Sequence, residues 1–117
     1  MTLRDEIQQV IDDEPVAIFM KGTPEMPACG NSMRALQALW SAGAPITAVD
    51  ILPDPQIRQE LSAITDWPTI PQVFIRGELI GGADITEELY ASGDLEQKLD
   101  DALGAERQRA VKTVSLS

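Results

Sequence analysis

The sequence contains no histidine and a single cysteine, Cys29, among its 117 residues. Histidine is the commonest general base and the commonest metal ligand, so other groups must fill both roles here. One cysteine excludes a disulfide within the chain and cannot build a zinc site of the usual Cys/His type. A metal bound to this chain must therefore take ligands from carboxylates, from a second copy of the chain, or from a small molecule.

Basic residues are also scarce, with nine Lys and Arg against 19 Asp and Glu and a net charge of −10. Binding to nucleic acid needs a basic face, so we do not expect nucleic acid as a partner. No apolar run approaches the roughly 20 residues that a membrane helix needs, so we expect no membrane association either. The first residues mix charges and lack the apolar segment of a signal peptide, which predicts a cytoplasmic location.

The spacing of apolar residues predicts elements in the order α-β-α-β-α-β-β-α-α. Residues 16–20 are a continuous apolar run, typical of a strand covered on both faces. Asp84, with Glu87 three residues later, is the predicted N-cap of the fourth helix. The predicted helices are 2–12, 30–42, 55–64, one from 84 up to Gly93 and one from 94 up to Gly104, and the predicted strands are 16–20, 46–51, 72–76 and 78–80.

A βαβ unit followed by a β-hairpin and a helix is the thioredoxin-type arrangement. We therefore predict an α/β protein with a thioredoxin fold, in which helices flank a four-stranded mixed sheet on both faces. Residues 1–104 form the predicted domain. The stretch 105–117 is polar and is predicted to be a disordered C-terminal tail.

Cys29 lies between a Gly/Pro-rich loop and a predicted helix. A thiol at a helix N-terminus has its thiolate stabilised, and Lys21 at the far end of the loop can add positive charge. Gly30 leaves the backbone beside the sulfur accessible to a bulky ligand. A lone cysteine is more often a small buried apolar residue, but this one lies outside any apolar stripe.

Two other segments carry a similar signal. In residues 67–71, Pro71 stands at the start of a predicted strand. Because proline donates no hydrogen bond to a neighbouring strand, it leaves room for the backbone of a partner to pair there. The alternative interpretation is that Pro71 simply begins an edge strand. Residues 81–84 open a helix with bare N–H groups that suit a carboxylate. Taken alone, 81–84 is better interpreted as a hairpin exit with an N-cap, and Lys21 and Arg58 as surface charges.

These segments, in this order, resemble the monothiol glutaredoxin family, which is often named for a Cys-Gly-Phe-Ser motif. The resemblance extends over about the first hundred residues in one register, and several separate motifs carry it. The matching stretches are 20–32, 49–51, 55–61, 67–72 and 77–85.

The resemblance implies that Cys29 is the iron ligand and the only redox-active sulfur. Two copies of the chain and two glutathione molecules would then supply the four thiolates of a 2Fe–2S cluster. It further implies a homodimer when the cluster is bound, with BolA-like proteins and iron–sulfur acceptor proteins as partners.

The resemblance also implies a glutathione site. Lys21 and Arg58 would pair with the glycine carboxylate, and the backbone of Ile70 would pair with the cysteinyl residue, next to a cis peptide bond before Pro71. The γ-glutamyl end would be held by three consecutive residues, Gly82, Ala83 and Asp84.

The sequence departs from the family at two positions. Asn31 replaces the aromatic residue after Cys-Gly, and Ala83 replaces a cysteine that many members carry. Ala83 removes any internal disulfide and costs the cluster no ligand. Ser32 stands where two-cysteine glutaredoxins keep a resolving thiol.

Three functions remain open from the sequence. The first is an iron–sulfur carrier or scaffold. The second is a glutathione-dependent monothiol oxidoreductase that removes glutathione from mixed disulfides. The third is an adaptor that binds a protein partner through its glutathione face.

Overall fold

The computed structural model describes residues 1–116 and contains five helices and five strands within them. None of its helices is both long and apolar enough to cross a membrane. The elements in chain order are α1 (Leu3–Asp13), β1 (Val16–Met20), α2 (Gly30–Ser41), β2 (Pro45–Asp50), α3 (Pro55–Thr65), β3 (Gln72–Ile75), β4 (Glu78–Gly81), α4 (Ala83–Ser92), α5 (Asp94–Leu103) and β5 (Ala110–Thr113).

The sheet has the strand order β4-β3-β1-β2-β5. Strand β1 pairs in parallel with β2 and antiparallel with β3, and β3 forms a hairpin with β4. The hairpin turns at Arg76 and Gly77, which both have positive φ. This is the predicted thioredoxin fold with a mixed sheet, although the sheet has five strands and not four.

Two apolar cores lie on opposite faces of the sheet, since β1 is buried along its whole length. One face is covered by α2, α4 and α5, with Leu39, Leu95 and Leu99 fully buried. The other face is covered by α1 and α3, where Phe19 and Phe74 meet edge to face at 5.8 Å. Helices on both faces hold the ends of the central strands in place.

The C-terminal stretch differs from the prediction of a disordered tail. Ala110–Thr113 form β5, which pairs in parallel with β2 and therefore belongs to the domain. Arg107 and Arg109 hold the approach to β5, because their guanidinium groups donate to the carbonyl oxygens of Ala42 at 2.8 Å and Trp40 at 2.7 Å. The prediction was wrong here because polar composition does not show partners so far away in the chain. Ser117 lies outside the described residues.

Candidate functional site

Cys29 is the N-cap residue of α2, at the end of the loop that follows β1. Its backbone is extended, with φ −150° and ψ 153°. The loop is closed by a 2.8 Å hydrogen bond from the Ala28 amide to the Lys21 carbonyl oxygen. A side chain at Gly22 is excluded, because an added Cβ would lie 2.5 Å from the Ala28 nitrogen and φ there is +88°. The loop therefore returns to Lys21 just before the cysteine.

Ser32 is a site residue whose role the sequence analysis missed. It is fully buried, its amide donates to Cys29 Sγ at 3.3 Å, and its Oγ lies 3.2 Å from the same sulfur. The Lys21 amide donates to that Oγ at 3.0 Å. Since Oγ already accepts from Lys21, its own proton can point to the sulfur when Cys29 ionises. The sequence did contain a signal, because an N-cap side chain commonly bonds the amide three residues later.

The pKa of the Cys29 thiol is lowered from its usual value. Burial is the largest influence and raises this pKa, but the hydrogen bonds from Ser32, the positive charge of Lys21 and the Asn31 amide together outweigh it. The thiolate is the form that attacks disulfides and binds metals. The site therefore stabilises the Cys29 thiolate relative to that of a free cysteine.

Removing the Ser32 hydroxyl should raise the pKa of Cys29. The Oγ–Sγ hydrogen bond is lost in Ser32→Ala, while burial, which favours the neutral thiol, remains. We expect the pH profile of iodoacetamide alkylation to move to higher pH, with slower alkylation at neutral pH. Ser92→Ala is the control, because it removes an exposed hydroxyl at the end of α4 and should leave the profile unchanged. A Ser32→Ala profile that stays in place or moves to lower pH would contradict this assignment.

A cleft of about 340 Å³ lies beside the first turn of α2. One wall is the segment before β3 and the other is the start of α4. Cys29 itself is not part of the lining, but Asn31, two residues after it on α2, is. The lining consists of Asn31, Trp67, Thr69, Ile70, Pro71, Gly82, Ala83, Asp84 and Ile85.

The structure brings together five of the seven residues predicted to contact glutathione. They come from two separate segments and line this one cleft, namely Ile70, Pro71, Gly82, Ala83 and Asp84. The peptide bond between Ile70 and Pro71 is cis, as expected. The two walls approach closely, because a Cβ added to Gly82 would lie 3.4 Å from the Pro71 carbonyl oxygen.

The other two predicted residues, Lys21 and Arg58, are not part of the cleft lining. Lys21 is half-buried in the loop after β1, and its charge acts on Cys29. Arg58 is exposed on α3, and its Nη2 donates to the Pro68 carbonyl oxygen at 3.2 Å. Pro68 belongs to the segment that forms one wall. The two cations therefore flank the cysteine and the cleft from outside.

The N-cap of helix α4 lies two residues before the predicted one. Gly82 is its N-cap, and the Thr86 amide and hydroxyl both donate to the Gly82 carbonyl oxygen, at 3.1 and 2.7 Å. Asp84 is the second residue of the helix, so the predicted capping role was wrong. Because Gly82 has no side chain, it makes no capping bond to the first amides of α4, which lie at the positive end of the helix dipole.

Arg34 is a second residue that the sequence analysis overlooked. It lies on α2 three residues after Asn31, and its Nη1 donates to Asn31 Oδ1 at 2.8 Å. Its Nε donates to Glu87 Oε1 at 2.9 Å, and its Nη2 also contacts Asp84 Oδ1. Hydrogen bonds to Glu87 and then Asp84 raise the pKa of this guanidinium further. The i, i+3 spacing of Asn31 and Arg34 was the available signal.

The donor set for a metal is small. Residues 1–116 hold no group of three or more His, Cys, Asp or Glu side chains that could hold a metal ion. Within one copy, Cys29 is the only residue with a thiol.

Comparison with known proteins agrees with this geometry. The glutaredoxin family profile matches residues 16–80, more than half of the chain. The Legionella pneumophila protein named "Probable monothiol glutaredoxin GrlA" is 51% identical over 88 residues, covering 75% of this chain and 99% of that protein.

Solved structures give the same result. Reduced poplar apo GrxS14 has a TM-score of 0.76 and 41% identity, covering 87% of this chain and 94% of that one. A buckwheat glutaredoxin–glutathione complex has a TM-score of 0.74 and 26% identity, covering 86% and 89%. The chain therefore belongs to the glutaredoxin family, and its similarity to a named monothiol member agrees with the monothiol branch that its motifs predicted.

Proposed function

We propose that this chain binds glutathione beside Cys29 and, as a dimer, shares a 2Fe–2S cluster held by Cys29 and glutathione thiols, for iron–sulfur cluster assembly and transfer. The observation that carries the proposal is a thiol of lowered pKa at a helix N-terminus, two residues before Asn31 of a cleft that five of the predicted glutathione contacts also line. The buckwheat glutaredoxin solved in complex with glutathione supports the choice of ligand.

The charges around the cleft suit glutathione, which carries two carboxylates and one ammonium group. Lys21 and Arg58 provide cations for the glycine carboxylate, as charge-assisted contacts. The N-terminus of α4 suits the γ-glutamyl carboxylate, and Asp84 suits the ammonium group. Ile70 lines the cleft, and its backbone groups suit the cysteinyl residue in the middle of the tripeptide. These contacts would orient the glutathione thiol toward Cys29.

The donor set fits a shared cluster better than a cluster within one chain. A 2Fe–2S cluster is held by four thiolates, and each chain offers only Cys29. Two chains and two bound glutathiones reach that number. When bound, the cluster would supply exchangeable iron and sulfide, while the residues around Cys29 hold its sulfur in the thiolate form.

Partners and location are proposed on the family resemblance. A carrier needs acceptor proteins that take the cluster, and a BolA-like protein is a further proposed partner at the glutathione face. A single reactive thiol that must stay reduced suits the cytoplasm, where thiols are kept reduced.

Anaerobic reconstitution with ferrous iron, sulfide and glutathione tests the proposal. We expect a coloured protein that elutes as a dimer in size-exclusion chromatography with mass detection, and a colourless monomer when glutathione is omitted. A coloured monomer, or colour that forms equally without glutathione, would contradict the shared-cluster arrangement.

The lowered pKa of Cys29 also favours a second function, deglutathionylation. The Cys29 thiolate would attack the glutathione sulfur of a mixed disulfide, breaking that bond and releasing the other sulfur, which takes up a proton. A second glutathione thiolate would then attack the Cys29–glutathione disulfide, freeing Cys29 and forming oxidised glutathione.

We expect this oxidoreductase activity to be weak. Ser32 stands within hydrogen-bonding distance of Cys29 but has no thiol with which to resolve the intermediate. Release must wait for external glutathione to reach a site that already holds one. The measurement is turnover of a small glutathione mixed disulfide beside a two-cysteine glutaredoxin. Equal turnover would favour the enzyme over the carrier.

A further inference from the structure

The guanidinium of Arg34 joins the two helices that border the cleft. It bonds Asn31 Oδ1 at 2.8 Å on its own helix, and on α4 it contacts Asp84 Oδ1 and Glu87 Oε1, the latter at 2.7 Å from Nη2. We call Arg34 with these three acceptors the Arg34 bracket. It ties the first turn of α2 to the first turns of α4.

Two acceptors of the bracket line the cleft, and Arg34 itself does not. Asn31 and Asp84 are part of the lining, whereas Arg34 lies in the groove between α2 and α4. The guanidinium therefore influences the cleft indirectly, because it holds two side chains that line it, Asn31 and Asp84. Without it, the Asp84 carboxylate, whose side chain is 84% exposed, would be free to rotate in solvent.

The shape of the guanidinium suits this task. Its five N–H donors lie in a rigid planar fork, so binding several acceptors at once fixes their relative positions. The recorded contact uses Oδ1 of Asp84, and a carboxylate has a second oxygen and about four acceptor positions. An ammonium group can therefore bind Asp84 while Arg34 holds it.

Stabilisation of the fold does not explain the bracket equally well. Arg34 and its acidic partners are all partly or largely exposed, and exposed ion pairs contribute little to stability. The amide oxygen of Asn31 is also a specific part of the bracket, and an aromatic ring at that position could not supply it.

We propose that Arg34 is a positioning residue that fixes Asp84 to receive the γ-glutamyl ammonium, with Asn31 as the second anchor. The proposal rests on the proposed glutathione site. Position 31, beside the reactive sulfur, is thereby coupled to the recognition of the far end of the tripeptide.

The test compares glutathione with N-acetylglutathione, in which the ammonium is a neutral amide, by calorimetric titration of the apoprotein. We expect Arg34→Gln to weaken glutathione binding about tenfold, the size of one charge-assisted contact, and to leave N-acetylglutathione within about twofold. In the Asp84→Asn background, Arg34→Gln should have no further effect, because coupled residues are not additive. Arg4→Gln is the matched control, since it removes the exposed Arg4–Glu60 pair between α1 and α3.

Several results would overturn the proposal. One is an equal loss of affinity for glutathione and for N-acetylglutathione in Arg34→Gln. Another is a gain in glutathione affinity. A third is additive effects of Arg34→Gln and Asp84→Asn. Arg34→Lys keeps the positive charge and loses the planar fork of donors. If this variant bound glutathione as tightly as the wild type, the charge of residue 34 alone would explain the binding, and positioning of Asp84 would not be needed. Unchanged melting temperatures of the apoproteins exclude misfolding as the cause. If the wild-type protein binds no glutathione, the proposed function itself fails, which is a distinct result.

Discussion

Cys29→Ser should give a colourless protein that stays monomeric when iron, sulfide and glutathione are supplied. The chain has no other cysteine and no histidine, so no side chain of the usual kind can replace the lost ligand. A serine hydroxyl remains protonated at neutral pH and does not supply the thiolate that the cluster needs. The measurement is visible absorbance together with mass by size-exclusion chromatography, for both proteins under the same conditions.

The variant also carries its own control for folding. Serine is among the preferred N-cap residues, and Cys29 is the N-cap of α2, so the helix start should persist. We therefore expect the melting temperature of the apoprotein to change little. A Cys29→Ser protein that still formed a stable coloured dimer would disprove the role of Cys29 as the protein ligand.

Replacing Lys21 or Arg58 by alanine should raise the glutathione concentration needed for cluster assembly. Each cation is proposed to pair with the glycine carboxylate, and a hydrogen bond to a charged group is worth about 1.5–3 kcal/mol. That energy corresponds to roughly tenfold to a hundredfold in affinity. High salt should reduce the effect of Arg58→Ala more than that of Lys21→Ala, because Arg58 is exposed and Lys21 is half-buried.

The two cations can be separated from a general effect of charge. Lys98 is an exposed cation on α5, outside the lining of the cleft, so Lys98→Ala changes the net charge equally. We expect this control to match the wild type. If both Lys21→Ala and Arg58→Ala required no more glutathione than Lys98→Ala, the assignment of the glycine carboxylate would be wrong.

Local signals in the sequence were sufficient for much of the fold. Strand β1 was predicted with its observed bounds, because a continuous apolar run between Pro15 and Lys21 has no other simple interpretation. The start of α3 at Pro55 was likewise predicted where it is observed, because proline is favoured at the first position of a helix. The two walls of the cleft carried local signals, a proline before a strand and glycines before a helix, but only the family resemblance joined them into one glutathione site.

Contacts between distant residues could not be predicted in this way. Arg34 and Asp84 are 50 positions apart, and Arg107 and Ala42 are 65 apart. The i, i+3 spacing indicates the contact of Arg34 with Asn31, but nothing in the local pattern indicates the distant partners of either arginine. The Arg34 bracket and the fifth strand therefore depend on the tertiary arrangement of the helices and the sheet, which local sequence patterns do not contain.

The fifth strand has a consequence for how the chain is made. Strand β5 borders β2, yet Ile46 and its partner Val111 are 65 positions apart in the chain. On the ribosome, the outer side of β2 keeps its backbone amides and carbonyls unpaired until residues 110–113 have emerged. An uncovered strand edge is a template for pairing with another chain. The nascent protein therefore passes through an interval in which it is vulnerable to aggregation on that side, and a ribosome that stalls before residue 110 would prolong it.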